Sequence, residues 1–486
     1  MADRERAGIK AEFVLGKARM PEATSVPGTA FRMLVLADFG GHQARGEVRP
    51  ASELRPQRVD QESFSTVLRK IAPRIPIAIG DQPPFTITIE DMEGFHPDRL
   101  FANLEFFAPM RELRRQLKDP KAFARAAAVL GKASDGAPAA VQPAGVDDDL
   151  LRLLGKPSSA APAPSGLASS VDALIRQAVA PHVVGKPDPR QAELVAAVDG
   201  MSGELMRAVL HDRGFQKIEA AWRGLDHLVR ALELDESLQI FVLDASREEL
   251  AADFSAAPNL ANSAMYRIVV DHGSDTPWSL LVKGDPCSKR QEDAFLLTRL
   301  GTLAQEVDAA VVAGMEWAAW IGGFASLEDQ RACAAMRGST AATSIAAAAP
   351  GILLRLPYGP GTDPIEGFAF SEQITPPVAE HYLWGTASFA VAQLLAQSYT
   401  AAGGWGFAPG DDGTLSDLPI HAFTQDGEKM ETPAAQVWLS EAKIDELIKE
   451  GIMPMVAVKG RGEVRVPRFQ SIASPPAALA GRWRND

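Results

Sequence analysis

Residues 131–170, GKASDGAPAAVQPAGVDDDLLRLLGKPSSAAPAPSGLASS, constrain this chain more than any single motif in it. Pro, Ala, Gly and Ser dominate the stretch and aromatic residues are absent from it. Such a segment cannot bury enough apolar surface to offset the entropy lost on ordering. It reads as a disordered linker that parts 486 residues into two folding units. Chains of this length ordinarily hold roughly two to four domains. The expected division is residues 1–130, a linker at 131–168, a second unit at 169–472 and a tail at 473–486. Inside the linker, Asp147–Leu154 (DDDLLRLL) sets acids ahead of leucines at helical spacing and reads as a short docking helix.

Each unit mixes strands and helices, so the expected class is α/β (α+β). In the first, Phe31–Ala37 (FRMLVLA) is a compact apolar run that enters a turn at Asp38-Phe39-Gly40-Gly41. Gln61–Ala72 carries Phe64, Val67, Leu68 and Ile71 on one helical face, and Phe85–Glu90 alternates as a half-buried strand. Pro97–Leu117 reads as a helix interrupted at Pro109. In the second unit, Leu194–Leu210 and Phe215–Leu232 read as helices and Leu238–Leu243 as a strand. Ser246 and Glu249 then form a capping box. Further strands are expected at Trp278–Val282, Ala309–Ala313, Ala434–Leu439, Met453–Lys459 and Glu463–Val466. Helices are expected at Arg290–Ala304, Ala379–Ala402 and Glu441–Glu450.

Composition narrows the function classes. Lys and Arg number 49 against 62 Asp and Glu, a net charge of −13. That argues against nucleic-acid or anionic-membrane binding, which concentrate positive charge. Two cysteines, Cys287 and Cys333, exclude a disulfide scaffold and fit a reducing, cytoplasmic compartment. The N-terminus shows no secretory signal pattern, and the apolar stretches 303–325 and 341–354 are broken by charges or end at a proline.

A search for catalytic signatures finds none. The phosphate-cradling G-x-x-x-x-G-K-[ST] and the G-x-S-x-G elbow are missing. Gly403-Gly404-Trp405-Gly406 lacks the spacing of a dinucleotide loop, and its Trp would block close approach to phosphate. No two of the eight histidines fall within ten positions of one another, so local metal-ligand spacings are absent. Asp271-His272-Gly273-Ser274-Asp275 reads as a polar loop, Cys333 as a buried thiol and Asp411-Asp412-Gly413 as a turn. The expectation is a non-enzymatic assembly protein with no cofactor and no metal.

Two ordered sets of motifs then resemble one system, the contractile sheath of bacterial type VI secretion. FRMLVLADFGG, RVDQESF, IAPR and MEGFHPDRL, between residues 31 and 100, resemble the small sheath subunit (TssB/VipA/ImpB type). The matching positions are Asp38, Gly40, Asp60, Pro73, Arg74, Phe95 and Pro97. VLHDRGFQKIEAAWRGLDHL resembles the F-x-x-x-E-x-x-W-R-G-L pattern of the large subunit (TssC/VipB/ImpC/EvpB type), through Phe215, Glu219, Trp222, Arg223 and Gly224. LLRLPYG (Leu356, Pro357, Tyr358, Gly359), EGFAF, YLWGTA (Trp384, Gly385), LPIHAF (Pro419, His421) and GIMPMVAVK (Pro454) follow in order. Taken as core residues alone, these supply aromatic anchors, a fork donor and close-packing glycines.

The resemblance implies a protomer built from one small and one large subunit, which tiles a tube partly by strand pairing between neighbours. Here the two are fused, which fixes their ratio at one to one. The family's large subunit continues into a further C-terminal domain where this sequence carries SIASPPAALAGRWRND. The implied roles are a sheath component or, favoured slightly, a cap or regulator that ends or nucleates polymerisation. The implied partners are type VI sheath subunits or further copies of this chain, with baseplate proteins beside them. An AAA+ unfoldase would read the helix Ser169–Val179 through Val171, Leu174, Ile175 and Ala178; the same stripe also suits a helix packed on its own domain. The competing class is an enzyme on a sheath-like scaffold, with a pocket near Gly403–Phe407.

Overall fold

The most apolar run of the first unit forms the middle of a sheet built mostly by the second. The computed structural model describes residues 30–80, 83–134, 188–272, 276–374, 376–402, 404 and 413–482. The first unit supplies β1 (Phe31–Ala37), β2 (Gln57–Val59) and the antiparallel pair β3 (Arg74–Ile77) and β4 (Phe85–Thr88). The second supplies β5 (Leu238–Asp244), β6 (Leu280–Cys287), β7 (Ala310–Met315), β8 (Ile345–Ala349), β9 (Ile352–Leu353) and β10 (Trp384–Gly385). It continues with β11 (Gly413–Leu415), β12 (His421–Gln425), β13 (Glu428–Thr432), β14 (Ile452–Pro454), β15 (Val456–Ala457) and β16 (Val464–Val466).

The main sheet has the order β14-β8-β7-β6-β1-β5-β2 and is parallel except at β2. β1 pairs with β5 from Phe31↔Leu238 to Ala37↔Asp244, and with β6 from Met33↔Leu280 to Leu36↔Lys283. A strand flanked on both sides and covered on both faces needs an unbroken apolar run, and FRMLVLA supplies one. Alternate residues face opposite layers. Met33 and Val35 join one core with the helices Gln191–Leu210, Arg213–Ala231 and Ala387–Ala402. Leu34 and Leu36 join the other, with the helices Arg247–Ala256, Gln291–Glu306 and Leu327–Arg337. The helix Ala387–Ala402 crosses β6, β7 and β8 closely. A Cβ on Gly314 of β7 would fall 1.8 Å from Thr386 Oγ1, which is why that strand is glycine and alanine there.

Several elements differ from the sequence reading. Pro97–Leu117 is two α-helices, Pro97–Asn103 and Ala108–Lys118, joined by a 3-10 turn at Glu105–Phe107 that turns Phe107 into the core. Pro109 therefore opens the second helix instead of interrupting one. Of Ala379–Ala402, only Ala387 onward is α-helical, because Trp384 and Gly385 pair with β9. Ala434–Leu439 forms a single bridge, Ile352 to Ala435, instead of a strand. β8, hidden in an alanine run that resembles a helix in composition, is a strand buried on both faces. The helix Phe123–Ser134 runs four residues into the linker reading. Ile472, Ala473 and Leu479, at the edge of and within the tail reading, are buried. The rest of the linker, the helix at 169–179 with Val171, Leu174, Ile175 and Ala178, and most of the Gly403–Gly413 loop lie outside the described residues.

Candidate functional site: the joint between the two halves

Motif residues from both halves meet at one joint. The helix Arg213–Ala231 begins where Asp212 accepts the Phe215 N–H at 2.9 Å, and Phe215, Ile218, Trp222, Leu225 and Val229 recur on its buried face. Trp222 is fully buried, and its Nε1–H donates to the Phe39 carbonyl at 3.0 Å. Phe39 and Phe64 of the first half pack edge-on against the Trp222 ring, with centroids at 5.0 and 5.7 Å. Gly224, two residues on, leaves room for Phe389; a Cβ there would sit 2.5 Å from its ring.

A buried ion network lies beside this aromatic contact. Glu219 accepts from Arg223 Nε at 2.7 Å and from Arg355 Nε at 2.8 Å. Arg355 forks onto Glu372 at 2.7 and 3.0 Å, and Glu372 also accepts the Tyr358 N–H at 2.8 Å. Arg223 donates to the Tyr358 hydroxyl at 3.0 Å. Burial alone would raise the Glu372 carboxyl, but Arg355, the His211 ring and the Tyr358 amide outweigh it and hold it at about 2. Burial pushes the Tyr358 phenol up to about 12. Burial would lower Arg355, but Glu219 and Glu372 hold it well above its ordinary value.

The first half docks on the same network. His96 caps the helix Pro97–Asn103, its Nδ1 accepting the Asp98 N–H, and its ring meets Tyr358 edge-on at 4.9 Å. The Asp98 carboxylate accepts the amides of Glu366 and Gly367 at 2.7–3.1 Å. Phe95 packs on Phe215 and Phe101 on Phe368, at 5.7 and 4.5 Å. Arg114 pairs with the buried Asp199 at 2.6 Å.

A second tie closes the carboxyl ends of β1 and β5. Asp38 accepts the amides of His42 and Gln43, and Asp244 accepts the Gly40 amide at 2.8 Å and faces His42 Nε2 at 2.9 Å. Arg49 bridges Asp244 at 3.1 Å and Glu249 at 2.7 Å. Burial would lower the His42 ring, but Asp244 raises it overall. Ligand atoms of Asp38, His42 and Asp244 lie within 4.8 Å of one another, a spacing a cation could use. Arg49 and the backbone amides already supply their positive partners, so the cluster acts as a structural tie between the halves.

The remaining matched residues lie apart or act locally. Asp60 accepts the Ser63 amide and hydroxyl at the start of the helix Phe64–Ile71. The carbonyl of Pro73 accepts the Ile89 amide, and Arg74 is exposed. Leu356 and Pro357 lead the chain into Tyr358, and Gly359 receives no Cβ contact closer than 3.4 Å. Trp384 Nε1–H donates to the Ala379 carbonyl, Gly385 packs on Leu354, and His421 Nδ1 meets the Tyr382 hydroxyl at 2.6 Å. Pro419 is partly exposed beyond them, and Pro454 ends β14 at the sheet edge. Sequence reasoning missed Arg355, Glu372, Asp98, Asp199, Asp244 and Arg49. Arg355 and Asp98 sat unremarked inside LLRLPYG and MEGFHPDRL, and no spacing signal identifies the others.

Glu372 makes the joint acid-sensitive. Its folded carboxyl lies at about 2 against an ordinary 4.5, so its contribution is complete above 4.5 and is lost as pH falls towards 2. The melting temperature is expected to drop by about 5 °C or more over that window. Glu372→Gln should melt lower at neutral pH yet show a flatter acid slope. Equal slopes in scanning calorimetry would contradict this assignment.

Among known proteins, a family model described as EvpB/VC_A0108, tail sheath N-terminal domain, matches residues 192–473. A second, described as Type VI secretion system, VipA, VC_A0107 or Hcp2, matches residues 18–130. The type VI secretion system sheath protein TssC1 of Pseudomonas aeruginosa is 27% identical over 307 residues, covering 58% of this chain and 61% of the relative. This chain thus spans about three-fifths of that relative's length. The joint unites the two matched regions, and because the first match alone covers more than half of the sequence, this chain belongs to the type VI secretion tail sheath family, with its VipA-like and VipB-like regions in one polypeptide.

Proposed function

We propose that this chain is a non-enzymatic structural part of a type VI contractile sheath assembly, working in the cytoplasm against sheath subunits or further copies of itself. The observation that carries the reading is β1: a strand of the VipA-like region inserted between two strands of the VipB-like region, which makes the pair a single folded protomer. No helix among the described residues is long and apolar enough to cross a membrane.

Within that reading, a cap or regulator of polymerisation is favoured over a bulk protomer. Growth by strand addition needs open sheet edges. β2 and β14, the outer strands of the main sheet, are each three residues long. β14 ends in Pro454, which has no amide to donate, and the Gln470 side chain donates to the Ile452 carbonyl at 3.3 Å. Both features support termination over propagation.

Electron microscopy of the purified chain, alone and with assembling sheath subunits, tests this. The expected result is shortened or end-decorated sheaths and no tubules from the chain alone. Long tubules from the chain alone would make it a bulk protomer, and no effect on sheaths together with substrate turnover would favour an enzyme. Recognition by an AAA+ unfoldase through Val171, Leu174, Ile175 and Ala178, and contact with baseplate proteins, belong to the same proposal. Pull-down by the unfoldase N-domain should be lost on deleting 169–179.

A further inference from the structure

The rings of His211 and His381 stack with centroids 4.0 Å apart and planes 11° from parallel. They come from distant places. His211 closes the helix Gln191–Leu210, at its junction with Arg213–Ala231, and His381 ends the 3-10 turn Ala379–His381. The Nε2 of His211 is buried and makes no hydrogen bond among the described residues. It lies 3.7 Å from the Glu372 carboxylate, too far for a hydrogen bond but within ion-pair range once the ring is charged.

The other charges facing the stack are few. Glu372 is clamped from behind by Arg355. Arg207, from the helix that His211 closes, and Glu380, beside His381, both act on His381. His381 is held below the ordinary histidine value, first by burial and then by His211. One carboxylate can welcome one proton on this pair. A second proton would set two cations face to face at 4.0 Å with Arg207 nearby.

Tyr382, just beyond His381, is buried and its hydroxyl meets His421 at 2.6 Å and Thr432 at 2.9 Å, but residues 376–381 before it are lightly held. The Ala379 carbonyl accepts from Trp384 Nε1, the Glu380 carbonyl accepts from Gln216 at 3.4 Å, and the Val378 amide donates to Gln373 at 3.3 Å. Val378 and the neighbouring Ile374 are 41% and 60% exposed. Against that background, the stack is the main tie between residues 376–381 and the two long helices.

We propose that the His211–His381 stack is a proton-operated latch: neutral rings hold residues 376–381 on the helix junction, and protonation of both rings releases them. Opening relieves the strain on the second proton, so the released form takes up about one proton more than the closed form. Its population then rises about tenfold per pH unit below 6.5, until the closed form is itself protonated. This window lies above the range in which Glu372 titrates, so release precedes acid unfolding.

Hydrogen exchange of the full chain between pH 5 and 8, corrected for intrinsic exchange rates, tests the latch. Opening of 376–381 should grow about tenfold per unit below pH 6.5 while β1 stays protected. His381→Phe keeps a stacking ring that cannot charge, and its opening should lose that slope. A wild-type chain without the slope, or a His381→Phe chain that retains it, would overturn the proposal. Should the variant not fold, ring NMR of the wild-type chain decides. Coupled titration with loss of ring-to-ring contacts supports the latch, and independent titration with contacts kept refutes it.

Discussion

Residues 188–486 expressed alone should yield no folded protein, and co-expression of residues 1–134 should restore a stable, soluble pair. β1 lies in the middle of the main sheet, so removing the first half strips both β5 and β6 of a partner. It also removes the fully buried Phe31, Met33, Leu34, Val35 and Leu36 from both cores at once. At about 1.5–3 kcal/mol for each large apolar side chain, that strand alone represents roughly 7 to 15 kcal/mol. Total stability is typically about 5–15 kcal/mol, so nothing would be left to hold the second half. Phe39 and the Asp38–Asp244 tie are lost as well. Cutting the chain within 135–187 should, by contrast, leave the halves associated, since none of these contacts depends on the connection. Circular dichroism and size-exclusion chromatography read both outcomes. A monomeric 188–486 fragment that melts cooperatively near the temperature of the intact chain would show that β1 is dispensable.

Arg355→Met is expected to be the most damaging single substitution at the joint. Met matches the bulk of the stem but leaves Glu372, buried and held at about 2, with the Tyr358 amide at 2.8 Å and the His211 ring at 3.7 Å in place of a forked guanidinium. Breaking a buried pair on one side costs about 3–5 kcal/mol, because the surviving charge stays desolvated. The remaining carboxylate should take up a proton, so the variant gains stability as pH falls towards 4.5, a range over which the wild-type contribution of Glu372 stays constant. Removing the charges together, as Arg355→Met with Glu372→Gln, should recover part of the loss. A denaturant titration showing the double variant at least as unstable as the sum of the singles would mean the network does not act as an ion pair.

Much of this fold was legible in the sequence because its signals are local. FRMLVLA, the helix at Phe215–Leu232 and the Ser246–Glu249 capping box each fix a conformation from neighbouring residues, and all three stand in the structure, the helix as Arg213–Ala231. The failures share a cause. β8 is four alanines after one isoleucine, a composition without strand character, and it is a strand because the helix Ala387–Ala402 presses close over the sheet. The segment Ala379–Gly385 has helical composition, yet β9 captures Trp384 and Gly385 before a helix can start. In both, a distant partner overrides local preference.

The same distinction applies to the joint. The sequence by itself determined that the chain has two motif-bearing halves, which apolar runs become strands and helices, and that Trp222, Arg223 and Gly224 share one helix. It could not determine that Phe31 pairs with Leu238, or that Glu219 and Glu372 share Arg355 across 136 and 17 residues. Periodicity tells which face of an element is apolar, but not which other apolar face will cover it. A lone buried carboxylate or guanidinium carries no local signal of its partner either, since burial is tolerable only once the opposite charge arrives. Only the tertiary structure decided that two sheath-like regions close around one shared strand.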